Sequence, residues 1–398
     1  MRVLMLSWEY PPHVVGGLGK HVGELVPALV RQGIEVHVVT PRRREGRETE
    51  VLEGLFVYRV TPPAGLFSDF VSEAQATNAV LAQVAQEVLA RHRPFDLIHN
   101  HDWLTAESAR ELKLANKLPL VATIHATERG RGRGQLLGEQ AAQINEAEWR
   151  LQYEAWRVIV CTEYMRREAQ DYFGTPANKL DVIANGVDPR AFQALEGTDL
   201  SGFRLRFAQP DEEIVMYVGR IVAEKGIEVL IRSVPAVLAQ CPKARFVIAG
   251  TGPELERMRR LATELDLAGQ VLLPGFISDE DRDRLYKVAD CAVFPSLYEP
   301  FGIVALEAMA AKAPVVVSEV GGLREVVRHA ETGITVYPNE PASCAWGILH
   351  TLEHPEWARQ RAANAYREVL TVYNWDNIAA QTRAVYERVV RERAATTW

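Results

Sequence analysis

Cysteine is scarce in this chain, with four residues in 398. Cys161, Cys241, Cys291 and Cys344 stand far apart with no Cys-x-x-Cys pair, which excludes a disulfide scaffold and a cysteine-rich zinc module. Cys161 and Cys291 fall inside apolar, strand-like runs and read as reduced core residues. Long apolar runs are missing too. None approaches the length of a membrane span, and Val3 to Leu6 is too short for the hydrophobic region of a signal peptide. Positive charge is in deficit: 45 Lys and Arg against 52 Asp and Glu leave a net charge of −7. That balance argues against a nucleic-acid binder and requires any polyanion site to be a local basic pocket. There is no repeat of fixed period, and the sole low-complexity tract is the Arg/Gly alternation near Arg129. A reduced cytoplasmic enzyme is the default.

What is present is α/β patterning on a scale too large for one ordinary core, so two domains are expected. Strand-like runs alternate with amphipathic helices, the signal of parallel sheets. In the first half strands are expected at Arg2–Ser7, Glu35–Thr40, Leu55–Val60, Asp96–Asn100, Leu120–His125, Val158–Cys161 and Asp181–Ala184, with helices such as Gly19–Arg31 and Asn78–Arg91. The pattern restarts at Ile214–Gly219 and continues through Arg245–Gly250, Gln270–Leu273, Asp290–Phe294, Val315–Ser318 and Gly333–Tyr337. Between Asn185 and Asp211 no period is visible, and Pro189, Gly197, Gly202 and Pro210 mark a junction. The domains are therefore expected at 1–188 and 189–375, with 376–398 belonging to a final helix.

Three constellations carry chemistry. After the first strand, Pro11 to Gly19 forms a glycine loop (Gly16, Gly17, Gly19) whose backbone could approach a ligand closely. A dinucleotide fingerprint fails here, because Gly23 is one place late and no acidic residue ends the second strand. His99, His101 and Asp102 end one strand and His125 ends another, where open α/β sheets bind ligands. A metal at these histidines is disfavoured, since no helical His-x3-His spacing and no further ligand is evident. Arg220 ends the first strand of the second half and Lys225 lies five residues on. A planar fork and a mobile point charge there can converge on one diphosphate. Asp281-Arg282-Asp283 is formally a metal-binding Asp-x-Asp, but Ser278 and the acids after it read as a helix start.

The run from Phe294 to Met309 joins these. A strand ends at Phe294, a helix starts near Phe301-Gly302, Glu299 precedes it and Glu307 lies within it. Helix-start amides favour an anion. Glu307, about 7 Å further along the axis, can accept from two neighbouring hydroxyls. A phosphate and a vicinal diol so spaced describe a nucleoside diphosphate.

This run resembles the Glu-x7-Glu signature of retaining GT-B glycosyltransferases, in the branch of glycosyltransferase family 4 and the glycogen synthases. Glu9-Tyr10-Pro11-Pro12 with Gly16-Gly17, the Gly219-Arg220 to Lys225-Gly226 element, and His101-Asp102-Trp103 are similar to the same family. The resemblance implies two Rossmann-like parallel-sheet domains facing a cleft, with the C-terminal helix crossing back to the first. It implies a hexosyl group, foremost glucosyl, moved from ADP- or UDP-glucose to a carbohydrate acceptor such as an α-glucan, without cofactor or metal. His125, Glu299, Arg220 and Lys225 would act catalytically. Gly17, Gly250, Ile277, Phe301, Gly302, Ile303 and Glu307 would join the two cations in holding the donor. Gly16, Asp102 and Arg129 would face the acceptor. Bacterial glycogen synthases carry a Lys two residues before the paired glycines, where Val14 stands here. A lipid, sugar-phosphate or sucrose-type acceptor therefore stays open, as do a nucleotide-sugar epimerase and a non-catalytic binder. The segment Glu128 to Gly134 is expected to be a loop, either mobile over the site or simply solvated.

Overall fold

The computed structural model describes residues 1–43 and 46–398. The chain divides into two compact units, Met1–Asn185 with Trp375–Trp398, and Gly186–Asn374.

The first unit is built on β1 (Arg2–Leu6), β2 (Glu35–Pro41), β3 (Thr49–Leu52), β4 (Leu55–Val60), β5 (Leu97–His101), β6 (Leu120–Ile124), β7 (Arg157–Val160) and β8 (Leu180–Val182). They form one sheet in the order β3-β4-β2-β1-β5-β6-β7-β8. All pairings are parallel except β3 with β4. The central strands are buried on both faces, so they read as unbroken apolar runs rather than alternating ones. Val3 sits between Val36 and Leu97, setting the register at the centre of the sheet. The helices Gly17–Arg31 and Trp375–Ala394 cover part of this sheet. Leu25 and Leu29 of the first pack with Ile378, Tyr386 and Val389 of the second over Val3 and Met5. The final helix thus closes the first unit's own core.

The second unit carries β9 (Glu213–Val218), β10 (Ala244–Ala249), β11 (Val271–Gly275), β12 (Cys291–Phe294), β13 (Val315–Ser318) and β14 (Ile334–Val336). Its all-parallel order is β11-β10-β9-β12-β13-β14. Pro274 lies in β11, which is an edge strand, where the missing N–H costs no central ladder bond. The unpatterned stretch after Asn185 contains two short helical turns, Arg190–Gln193 and Ser201–Arg204.

Each sheet reverses its winding once. In the first, strands progress outward in opposite directions from β1 and β5; in the second, from β9 and β12. At such a switch point the loops after the two strands diverge and leave a crevice at the strands' carboxyl ends. No helix among the described residues is long and apolar enough to cross a membrane.

Candidate functional site

At the first switch point, the loop after β1 is organised by an acid of the Glu9-Tyr10-Pro11-Pro12 run. Glu9 Oε2 accepts from the amides of Val15 at 2.7 Å and Gly16 at 3.1 Å. These two loop amides, expected to face a ligand, are therefore already given to an internal carboxylate. Gly16 caps the helix Gly17–Arg31 in extended conformation without a side-chain bond. Gly19 is required for space, since a Cβ there would stand 2.6 Å from Glu9 Oε2.

After β5, Asp102 takes φ 57° and is almost wholly buried. Its Oδ1 accepts from the His125 backbone N–H at 2.7 Å, tying the end of β5 to the end of β6. Burial pushes the Asp102 carboxyl up to about 6, against the pull of the His125 and Ala126 amides and the Arg131 charge. The His125 backbone N–H is thereby already engaged.

The histidines regroup. His99 is buried with both ring nitrogens spent, Nδ1 on the Tyr386 hydroxyl at 2.6 Å and Nε2 on Thr123 Oγ1 at 2.7 Å. It braces the sheet to the final helix and leaves the candidate set. His21, from the helix Gly17–Arg31, replaces it: His21, His101 and His125 each offer a ring nitrogen, all three within 4.8 Å of one another. His21 lay outside the expected set. Spacing along two strands cannot show a residue that arrives from a helix. Burial of a histidine in the apolar stripe Leu18, Val22, Leu25 was the available signal. Burial depresses all three imidazoles, His125 to about 3, so they are neutral at pH 7.

The Arg/Gly segment is not a loose loop. Glu128–Arg131 is a helical turn capped by Thr127, whose Oγ1 accepts from Gly130 N at 3.0 Å. The Glu128 N–H reaches both oxygens of Glu148, at 2.9 and 3.1 Å. Glu148 is buried, and that burial pushes its carboxyl up to about 8. Arg129 lies over the Tyr172 ring, 5.4 Å from its centroid. A buried acid beneath the turn and a ring beside it fix what composition alone suggested was free.

At the second switch point, β9 ends in Gly219 and Arg220. Gly250, at the end of β10, has φ 143°, and a Cβ there would stand 1.7 Å from the Gly219 carbonyl oxygen. Its observed work is this close approach of two loops. Arg220 is half exposed, its Nη2 3.4 Å from Glu224 Oε1. Lys225 sits in the turn Ala223–Lys225, and Leu297 N donates to the Glu224 carbonyl at 2.7 Å, fastening this turn to the loop after β12. Lys225 Nζ stands 2.6 Å from Glu299 Oε2, with both side chains largely buried. Ser296 Oγ donates to the same oxygen at 3.3 Å. A basic residue expected on a diphosphate is thus paired with the candidate catalytic carboxylate.

The helix that follows is Ile303–Ala310, with Gly302 as its N-cap at φ 106°. It has no capping side chain and no acidic residue in its first turn, which leaves its mouth suited to an anion. Phe301 is buried against Tyr373. Ile277 is half-buried in the loop after β11. Glu307 is only 4 % exposed, and its Oε2 accepts from the Tyr286 hydroxyl at 3.0 Å. Burial works against the Arg282 charge, but Glu307, Asp283 and Asp279 outweigh it and hold the guanidinium protonated. Asp281 and Asp283 belong to the helix Asp279–Val288, capped by Ser278 Oγ at 3.1 Å from Asp281 N.

Two doubly wound units of this kind, with a basic turn and an uncapped helix start at one switch point, have the architecture of the GT-B glycosyltransferases. Residues 15–191 match Glycosyltransferase Family 4 and residues 204–368 match Glycosyl transferases group 1. An uncharacterized glycosyltransferase of Methanocaldococcus jannaschii is 39% identical over 97% of this chain and 98% of its own. The glycogen synthase of Mycobacterium tuberculosis is 33% identical over 97% and 94% respectively. Among solved structures, the sucrose-phosphate synthase of Thermosynechococcus elongatus superposes with a TM-score of 0.85 at 26% identity, covering 98% of this chain and 99% of that one. The chain belongs to glycosyltransferase family 4.

Proposed function

We propose that this glycosyltransferase moves a glucosyl group from ADP- or UDP-glucose to an α-glucan, with retention and without a metal, in the cytoplasm. The observation that carries this is the Lys225–Glu299 pair beside the mouth of the helix Ile303–Ala310. A diphosphate at that mouth gains Lys225, Arg220 and the helix amides as charge partners. Drawing Lys225 toward the phosphates frees Glu299 for the sugar hydroxyls and the positive charge that develops at the anomeric carbon. Leaving-group charge grows as the bond breaks, and the cations meet it there. The leaving phosphate then takes the proton of the incoming hydroxyl on the same face. Glu307 serves the ribose, and His125 with Asp102 the transferred sugar. The glucan acceptor rests on the likeness to a glycogen synthase.

A second acceptor class has its own support: the likeness to a sucrose-phosphate synthase and the arginines of the turn Glu128–Arg131, which suit a sugar phosphate. The test is a panel of ADP-, UDP- and GDP-glucose with glycogen, with hexose phosphates, or with neither, read by nucleotide release. Glycogen-dependent release with ADP- or UDP-glucose is expected. Release only with a hexose phosphate moves the acceptor to the second class, and equal release without acceptor contradicts both.

A further inference from the structure

Three clustered histidines of the first unit are placed for coordination chemistry. His101 Nδ1 and His125 Nε2 lie 3.1 Å apart. That is near the edge of a nitrogen tetrahedron around an ion at about 2.0–2.1 Å from each ligand. His21 Nδ1 lies 2.7 Å from Asn185 Oδ1, an atom that only accepts. His21 therefore carries its proton on Nδ1, and Nε2 presents a bare lone pair. That Nε2 is buried without a hydrogen-bond partner. An imidazole whose far N–H is held by an oxygen while its other nitrogen stays open is the arrangement that second-shell partners impose on metal ligands.

We propose that His21, His101 and His125 form a binding site for one divalent transition ion of the zinc and cobalt class. The site rests on ring nitrogens alone and does not depend on which sugar the enzyme moves. Three neutral nitrogens and an open fourth position suit Zn²⁺, Co²⁺ or Ni²⁺ rather than Mg²⁺ or Ca²⁺, which take oxygen ligands. The rings are already neutral. The proton bridging His101 and His125 moves to the far nitrogen of its own ring when the ion binds, so no proton need leave the protein. His99 takes no part, both of its nitrogens being engaged.

The experiment titrates untagged full-length protein with Co²⁺ alone and reads the visible bands of a low-coordinate cobalt–nitrogen site. His350 and His354 form a separate pair with stacked rings 4.9 Å apart and could also take the ion. The double variant His350→Ala/His354→Ala is therefore the control. One equivalent should bind to the wild type and to this control. His21→Gln should weaken binding at least about tenfold. Asn185→Asp keeps all three ligands and, by placing a carboxylate on His21 Nδ1, should tighten it, a gain that a folding defect cannot imitate. Absence of the bands in the wild type overturns the proposal. So does their loss in the control with no change in His21→Gln and Asn185→Asp.

Discussion

At the scale of single residues, burial decides which groups carry charge. Glu148 is pushed from 4.5 up to about 8, so between these values the folded chain holds a proton that the unfolded chain has released. Its contribution to stability is whole below about pH 4.5 and is lost as pH rises through about 8. Glu148→Gln, which stays neutral, should gain thermal stability relative to the wild type as pH rises from about 5 to about 8. Parallel melting-temperature curves would contradict the burial argument. Glu307→Ala removes a charged acceptor from two hydroxyls, each bond worth about 1.5–3 kcal/mol. Nucleoside diphosphate affinity by calorimetry should fall more than about tenfold, and unchanged affinity removes Glu307 from the ribose role. The residues legible in the sequence were those in short spaced motifs, such as Arg220, Lys225, Glu299 and Glu307. Glu9, His21, Glu148 and Tyr286 act through contacts between elements distant in the chain, which spacing does not encode.

At the scale of elements, the parallel strands were legible because each is a bounded apolar run. The helix Phe70–Arg91 starts eight residues before the expected Asn78, its first two turns mixing the apolar Phe70, Val71 and Ala74 with Ser72, Glu73, Gln75 and Thr77 in no clear helical period. Its signal was the cap, Asp69 Oδ1 accepting from Ser72 N at 2.8 Å. β3 is short, mostly exposed and antiparallel, and carries too little apolar pattern to announce itself. Where elements meet, glycines set the limits. Gly250→Ala combines a left-handed backbone, costing about 1–3 kcal/mol, with overlap on the Gly219 carbonyl, and should lower the denaturant midpoint clearly. Gly16→Ala meets nothing within 4 Å and has φ −152°, so its midpoint should fall only slightly, through the poorer N-cap. Equal destabilisation by both would show that these loops relax more than their geometry implies.

At the scale of the whole molecule, the first unit is discontinuous in sequence and the second is one continuous segment. Removing residues 375–398 strips Ile378, Tyr386 and Val389 from the first core and takes the partner of His99 Nδ1. Calorimetry of the truncated chain should lose the first unit's transition and keep the second's, and two intact transitions would contradict this packing account. In the proposed reaction cations and a helix mouth, rather than a metal, carry the departing diphosphate. Lys225→Ala and Arg220→Ala should therefore lower turnover more than they raise the donor KM. The most direct measurement follows glucosyl transfer to glycogen from ADP- or UDP-glucose in excess chelator, with the new linkage read by proton NMR. Turnover should be undiminished and the product α-linked. Activity abolished by chelator and restored by Mg²⁺ or Mn²⁺, or a β-linked product, would contradict the proposed reaction.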